Sequence, residues 1–172
     1  SRFFDTNDFL TEYFDKKASD LVNYKNLDIL IGWSSFSLKS FYKAKNYKCI
    51  KILERGSTHI EHQKEILEEE YRLHDMKPVL PSTKIIEKEK LEYEIADYIT
   101  VPTEFAKKTF INKGFDEKKI IKIPYGVDIN HFKNTDLKSS IDKKKKFRII
   151  YTGACSIRKG IIYLLKAFCE LN

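Results

Sequence analysis

The chain has few residues of the kinds that mark disulfide-rich, membrane-spanning or disordered proteins. It contains only 3 Cys, 6 Gly and 4 Pro among its 172 residues. Because the cysteines are odd in number and widely spaced, we expect free thiols in a reducing, cytoplasmic compartment. No run reaches the roughly 18 apolar residues that span a bilayer, and the first residues lack a signal-peptide pattern. The low glycine and proline content argues against long disordered stretches.

Apolar residues and positive charge are abundant instead. Hydrophobic residues make up 42% of the chain and aromatic residues 13%, which is enough to form a core. The formal net charge is +7, and such a basic protein attracts phosphorylated small molecules, anionic lipids or nucleic acids. Much of the excess lies in the run 143–146, which we interpret as part of a solvated basic linker over residues 134–146. No helix-turn-helix or aromatic-interleaved basic pattern occurs, so nucleic acid is not an expected partner.

Apolar runs alternate with helical patterns along the chain and predict an α/β fold. Strands are expected at residues 27–31, 47–53, 98–101 and 120–123, and helices at residues 3–22, 35–45, 58–74, 84–93 and 104–113. Thr58 and Glu61 have the spacing of a capping box at the start of the third helix. Thr103 and Gly114 are expected to cap the last of these helices. The alternation predicts a Rossmann-like parallel sheet.

A further strand–turn–helix unit is predicted near the end of the chain. Residues 147–151 form an apolar run suited to a buried strand, and Gly153 permits a tight turn after it. Arg158 and Lys159 then precede an apolar helix at residues 161–168. Cations ahead of a helix N-terminus predict a phosphate site. We therefore expect one domain over residues 1–133, the linker, and the start of a second Rossmann-like domain over residues 147–172.

Glycines mark the ends of several predicted strands. Gly32, Gly56, Gly126 and Gly153 each follow a strand within a few residues. Parallel α/β sheets bind ligands at the carboxyl ends of their strands, where the backbone turns sharply and approaches the ligand closely. Each glycine alone is typical of an ordinary turn. Together with their polar neighbours, the four favour a ligand site at one edge of the sheet.

Four segments occur in an order and at a spacing that resemble a known family of enzymes. They are residues 54–59 (ERGSTH), 96–105 (ADYITVPTEF), 119–128 (KIIKIPYGVD) and 153–160 (GACSIRKG). The set resembles the group 1, or family 4, retaining glycosyltransferases with the GT-B architecture. The resemblance implies two Rossmann-like domains, an acceptor-side domain and a donor-binding domain, that face each other across a cleft. It further implies metal-independent transfer from a nucleotide-diphosphate sugar to a glycan, lipid or small-molecule acceptor, without a cofactor.

The same resemblance implies roles for individual residues. Lys159, with Arg158 and Gly153, would contact the donor diphosphate, whose negative charge grows as it departs. His59 would orient the sugar or accept a proton from the acceptor hydroxyl. The remaining cleft residues would be Arg55, Gly56, Ser57, Gly126 and Asp128.

Structural alternatives exist for several of these residues. A histidine in the first turn of a helix is commonly a polar surface residue, and Arg158 with Lys159 is compatible with a solvated helix start. Asp128 is equally suited to capping a turn at residues 129–132. His59 and His62 do not reproduce the His-Glu-x-x-His spacing, so no metal site is expected.

The chain departs from the family pattern in three respects. Ala154 occupies a position where many relatives carry an arginine. A first strand with its glycine-rich turn and a paired-glutamate segment for the donor ribose and sugar are not found. We therefore expect a truncated or split gene product that is inactive alone and pairs with a complementary chain or with itself. The alternatives are a non-catalytic subunit that binds a partner chain or the inner face of a membrane, and a basic nucleic-acid binder.

Overall fold

The computed structural model of the protein describes residues 2–132 and 148–171. The chain divides into two compact units, Ser1–Pro124 and Tyr125–Asn172. The helices and strands, in chain order, are α1 (Arg2–Leu21), β1 (Ile29–Trp33), α2 (Leu38–Ala44), β2 (Ile50–Glu54), α3 (Ile60–Leu73), α4 (Thr83–Ile95), β3 (Tyr98–Val101), α5 (Glu104–Asn112), β4 (Ile120–Lys122) and α6 (Ile161–Glu170). The predicted linker, residues 134–146, lies outside the described residues, so its boundaries stay a prediction.

The four strands form one parallel sheet in the order β1-β2-β3-β4. Ile31 pairs with Ile52, Leu53 with Ile99, and Ile99 with Ile120. Each strand is therefore added beside the one before it, always in the same direction. Because βαβ crossovers are right-handed, such a sheet places its connecting helices on one face. The predicted α/β class and Rossmann-like parallel sheet are confirmed.

One face of the sheet carries the hydrophobic core of the first unit. Each of the helices α2 to α5 contributes buried side chains to a single cluster on this face. Its members are Phe41, Leu53, Ile60, Ile86, Tyr93, Ala96, Ile99, Val101, Ala106, Phe110 and Ile120. We call this side the covered face. It provides the burial that holds the strands and their carboxyl-terminal loops in place.

The other side of the sheet is also apolar but lies open in the structure. Side chains alternate between the two faces of a strand, so Ile29, Ile31 and Trp33 of β1 project together, away from the core. Ile31 is 60% exposed and Trp33 48% exposed, and Ile50 and Tyr98 on the adjacent strands are exposed as well. We call this side the open face. Parallel sheets usually bury both faces, and no helix of the described part of the first unit buries these side chains.

Two helix starts differ by two or more residues from the sequence predictions. Helix α2 begins at Leu38 rather than Ser35, because Ser35 adopts a left-handed φ of 73° that a helix does not accommodate. Helix α3 is capped by His59, whose Nδ1 accepts a hydrogen bond from the Glu61 backbone N–H at 3.2 Å. The predicted capping box at Thr58 is therefore wrong. Thr103 does cap α5 as predicted, accepting from the Ala106 N–H at 3.0 Å.

Gly32 lies inside β1 rather than in a turn after it. A Cβ at this position would lie 2.2 Å from the Ser37 Oγ and 2.6 Å from the Ser37 Cβ. The glycine is therefore required because the chain after β1 folds back closely against the strand, on the covered side.

The second unit contains the predicted helix but not the predicted strand. Helix α6 covers Ile161–Glu170, whereas residues 148–151 form no strand and Ile150 is 85% exposed. A strand requires a partner for its backbone N–H and C=O groups. The described residues of this unit, 125–132 and 148–171, supply no such strand, and Phe147 lies outside them.

The described residues include no helix that is both long enough and apolar enough to cross a membrane.

Candidate functional site at the carboxyl ends of the strands

Three of the four segments that carry the family resemblance follow neighbouring strands of the sheet. Residues 54–59 come at the end of β2, residues 96–105 contain β3, and residues 119–128 contain β4. Backbone pairing continues beyond the strand ends, since Arg55 N–H donates to Thr100 O at 2.9 Å and Ile123 N–H donates to Val101 O at 2.9 Å. The carboxyl ends of the strands in these segments therefore lie at one edge of the sheet, where parallel α/β folds bind ligands.

Arg55 lies at this edge, but its guanidinium is occupied by neighbouring protein groups. Its Nη1 pairs with Glu89 Oε1 at 3.1 Å and lies 3.3 Å from the Ser34 Oγ. Its Nε donates to Thr58 O at 3.0 Å, and its Nη2 donates to Gln63 Oε1 at 3.1 Å. The side chain is nearly buried. In this arrangement Arg55 ties the loop after β2 to helix α4 and leaves little donor capacity for a ligand.

Glu89 is the centre of this polar network. Besides Arg55, its carboxylate accepts from the Ser35 Oγ at 2.6 Å and from the Tyr93 Oη at 2.5 Å. Glu89 is almost fully buried. A buried carboxylate is stable only when it is paired and hydrogen-bonded, and Glu89 meets both conditions.

Glu92 lies one turn after Glu89 on the same helix and is fully buried. Its two oxygens accept from the backbone N–H groups of Ser35 at 2.6 Å and Ser37 at 2.8 Å. Burial is the largest influence on this group and raises the pKa of Glu92 to about 7, against the opposing effect of the two N–H donors. Glu92 therefore holds the chain that follows β1, residues 34–37, which we call the 34–37 loop.

His59 lies within the same region but faces the core. Its ring packs against Tyr93, Phe110 and Phe115, with centroid distances of 5.1 to 5.7 Å. The side chain is 2% exposed, and its backbone N–H donates to the Thr109 Oγ1 at 2.9 Å. Burial lowers the pKa of His59 to about 4, so the ring is neutral near pH 7. The observed contacts of His59 are those of a helix cap and of a packed core side chain. A catalytic role for His59 stays a prediction.

The other predicted cleft residues of the first unit are more accessible. Gly56 and Ser57 are partly exposed in the bend between β2 and α3. They adjoin Arg55 on one side and precede His59 on the other. The structure therefore brings four predicted residues together at the carboxyl end of β2, with Gly56 and Ser57 as the pair that a ligand reaches most directly.

Gly126 and Asp128 belong to the second unit. A Cβ at Gly126 would meet no atom within 4 Å. Asp128 begins a turn, because its Oδ1 accepts from the Asn130 N–H at 2.9 Å and its carbonyl accepts from the Phe132 N–H at 3.0 Å. The capping alternative for Asp128 thus describes its observed contacts, and its cleft role stays a prediction.

The predicted donor-phosphate residues are exposed in the second unit. Arg158 and Lys159 form a single 3₁₀ turn, Ile157–Lys159, directly before α6. Gly160 between the turn and the helix has a left-handed φ of 68°. Gly153 also has a positive φ, 144°, and lies beside Tyr151, whose Oη donates to Ala154 O at 2.9 Å. The two cations are thus available to a ligand, with the backbone turning sharply on either side of them.

No group of three or more histidine, cysteine, aspartate or glutamate side chains among the described residues has a metal-binding arrangement. The described cysteines, Cys49, Cys155 and Cys169, are free thiols.

Sequence reasoning missed Glu89, Glu92 and Tyr93, which organise the polar network. The burial of Glu89 could have been predicted from the spacing, because residues 86, 89 and 93 lie on one helix face and the other two are apolar or aromatic. A carboxylate on the apolar stripe of a helix is a candidate for a buried, paired group.

The chain matches no known family model, no curated protein and no solved structure.

Proposed function

We propose that the protein is a portion of a retaining glycosyltransferase that uses a nucleotide-diphosphate sugar. The first unit would supply the acceptor side, and the second unit the opening part of the donor side with its phosphate-binding cations. Transfer to a glycan, lipid or small-molecule acceptor would need further donor-side groups, so the chain alone is expected to bind nucleotide without turning over.

One observation carries this proposal. Three of the four resembling segments contain a strand end at the carboxyl edge of a parallel sheet, where Glu54 is in register with Thr100, and Val101 with Lys122. Segments far apart in sequence thus meet where this class of sheet binds ligands. The fourth segment supplies two exposed cations, Arg158 and Lys159, of the charge that a diphosphate leaving group requires.

Within this proposal the first-unit residues divide into two roles. Gly56 and Ser57 would contact the acceptor because they are accessible. Arg55 would position the loop, since its guanidinium is engaged by Glu89, Thr58 and Gln63. A neutral His59 would orient the sugar rather than deprotonate the acceptor hydroxyl, because a base with a pKa of about 4 is weak.

Calorimetric titration with UDP, GDP and their sugars tests the proposal. We expect at least one nucleotide to bind, and Lys159→Ala to weaken that binding about tenfold, the loss typical of one charge-assisted contact. Arg148→Ala is the matched control, because it removes one exposed positive charge from the same unit. The donor assignment is wrong if no nucleotide binds at millimolar concentration, or if the two variants weaken binding equally.

A second candidate, a non-catalytic subunit that binds a partner chain, is favoured by the open face. Ile29, Ile31, Trp33, Ile50 and Tyr98 are exposed together on adjacent strands, and contiguous exposed apolar patches mark interaction surfaces. Sedimentation velocity distinguishes the candidates. The subunit is favoured if the protein self-associates, if Ile31→Lys abolishes the self-association, and if no nucleotide binds in the calorimetric titration. A monomer that binds nucleotide would favour the enzyme portion. Flotation with anionic vesicles tests the membrane-surface alternative, which is favoured if the protein floats with the vesicles.

A further inference from the structure

Strand β1 forms one edge of the sheet, and every second residue along it directs its backbone away from the sheet. The Ser34 N–H donates to Glu54 O of β2 at 3.0 Å. In a parallel pair alternate residues bond to the same neighbour, so Leu30 and Gly32 also face β2. The outward N–H groups are those of the intervening residues, Ile29, Ile31 and Trp33. Among the described residues none accepts from these groups, and such a row is the surface that pairs with another strand.

The two edges of the sheet differ in how they are protected against pairing. Proteins usually protect an edge strand by a short length, by charged residues or by proline. At one edge, β4 has three residues and includes Lys122, which pairs with Glu104 at 2.6 Å. At the other edge, β1 has five residues, with the sequence Ile-Leu-Ile-Gly-Trp, and contains neither a charged residue nor a proline. The edge of β1 therefore lacks the features that prevent pairing.

An apolar groove with a volume of about 490 Å³ lies beside this edge. Phe14 and Ala18 of α1 line one side of it, and Phe36 of the 34–37 loop also contributes. Along β1 its lining consists of the consecutive residues 30–33. Because consecutive side chains project to opposite faces of a strand, the groove follows the strand edge rather than either face. Its volume is that of a ligand pocket, about 300 to 1,000 Å³, and none of the described residues that line it is charged.

We propose that the edge of β1 accepts a strand from a partner polypeptide, and that this strand is an extended segment with apolar residues at consecutive positions. The outward N–H and C=O groups select an extended backbone rather than a lipid chain or a helix, because a strand supplies hydrogen-bonding groups at the same spacing. Alternate side chains of the added strand enter the groove, and the others extend the open face beside Ile31 and Trp33. A charged residue directed into the groove loses its hydration without gaining a charged partner. This inference goes beyond the proposed function, since it does not depend on nucleotide binding.

Amide hydrogen exchange, measured by NMR with a synthetic peptide, tests the proposal in the unmodified protein. The probe is Ile-Val-Ile-Val-Ile with two lysines at each end. The lysines keep it soluble and are repelled by a protein of net charge +7, so charge attraction does not explain its binding. At millimolar peptide we expect exchange of the Ile29, Ile31 and Trp33 amides to slow by at least about tenfold. The Leu30 and Gly32 amides, which already face β2, should change little. Adsorption of apolar side chains would slow neighbouring amides alike, so the alternation identifies strand pairing.

Matched controls remove the backbone donors on either side of the contact. The same peptide with N-methyl groups on its apolar residues keeps every side chain but cannot donate, and it should give no protection. In the protein, Ile31→Pro removes one outward N–H, a substitution that edge strands tolerate, and should abolish the protection of the Ile29 and Trp33 amides. Ile31→Val keeps the N–H and should retain that protection. If Ile31→Pro does not fold, the N-methylated peptide still decides the question.

Three results would overturn the proposal: no protection by the unmodified peptide, equal protection by the N-methylated peptide, or uniform slowing over residues 29–33. Protection of the same amides that rises with protein concentration in the absence of peptide would assign the edge to a second copy of the chain. That result would overturn the choice of a different polypeptide as the partner. Nucleotide binding is measured separately, so a failure here leaves the proposed function standing.

Discussion

Both faces of the sheet carry several apolar side chains, but the two faces have different surroundings. On the covered face, Leu53, Ile99 and Ile120 are buried beneath helices α2 to α5. On the open face, Ile29, Ile31 and Ile50 remain exposed although they are equally apolar. Isoleucines on the covered face thus stabilise the fold, whereas isoleucines on the open face are accessible to another molecule. The direction in which strands are added, rather than the hydrophobicity of the strands, decides which face receives the connecting helices.

Truncation of a core aromatic residue should give the largest loss of stability. Phe110 on α5 is fully buried, whereas Phe105 on the same helix is 59% exposed. We expect Phe110→Ala to lower the free energy of unfolding by about 4 kcal/mol, through lost burial and a residual cavity. The control Phe105→Ala should change it by about 0.5 kcal/mol or less. Urea unfolding at pH 7 measures both, and equal losses would mean that the covered face is not the core.

The pH dependence of stability should reveal the burial of His59 against the covered face. Because burial lowers the pKa of His59 from 6.5 to about 4, its contribution is present above pH 6.5 and is lost as the pH falls through 4. His59→Asn keeps a capping side chain but removes the titration.

Between pH 6.5 and 4, the unmodified protein should lose about 2 to 3 kcal/mol more stability than this variant. Urea unfolding at several pH values measures the difference, and parallel curves would show that the imidazole of His59 is solvated. His62→Asn serves as a control on the same helix.

Added side-chain volume on the covered side of β1 should cause an intermediate loss of stability. A methyl group at Gly32 would collide with Ser37, so we expect Gly32→Ala to cost about 2 kcal/mol in unfolding free energy. Ser37→Gly in the same background removes the colliding side chain and should recover part of that loss. No recovery in the double variant would show that the strain lies elsewhere.

A polar substitution on the open face should have the smallest effect on stability. Ile31→Thr keeps a β-branched residue in β1 and should change the unfolding free energy by about 0.5 kcal/mol or less. It should, however, reduce the binding of the apolar dye ANS to the folded protein. A loss of stability as large as that of a core substitution would mean that this face is packed against another element.

Much of the fold could be predicted from the sequence because local patterns determine it. The strand at 98–101 and the Thr103 cap were located correctly, since a buried parallel strand appears as a short apolar run bounded by turn residues. The same rule failed at residues 148–151. An apolar run predicts a strand only where a partner strand is present, and local sequence does not reveal the partner.

The site was predictable only in part. The family resemblance predicted Arg55, Gly56, Ser57 and His59 as cleft residues, and they lie at the carboxyl end of β2, while their contact with a ligand stays a prediction. The engagement of Arg55 by Glu89 could not be foreseen, because it joins residues 34 positions apart. Likewise, the buried state of His59 depends on aromatic residues from α4 and from the region of α5.

Cysteine accessibility is the most direct test of the difference between the two faces. Ile31→Cys and Ile99→Cys, each in a background with Cys155→Ser and Cys169→Ser, place a thiol on the open face of β1 and on the covered face of β3. We predict that Cys at 31 reacts with a thiol reagent at nearly the rate of the unfolded protein, and that Cys at 99 reacts at least about 100-fold more slowly, because only opening of the core exposes it. Equal protection of the two thiols in the native protein would contradict the assignment of one covered and one open face.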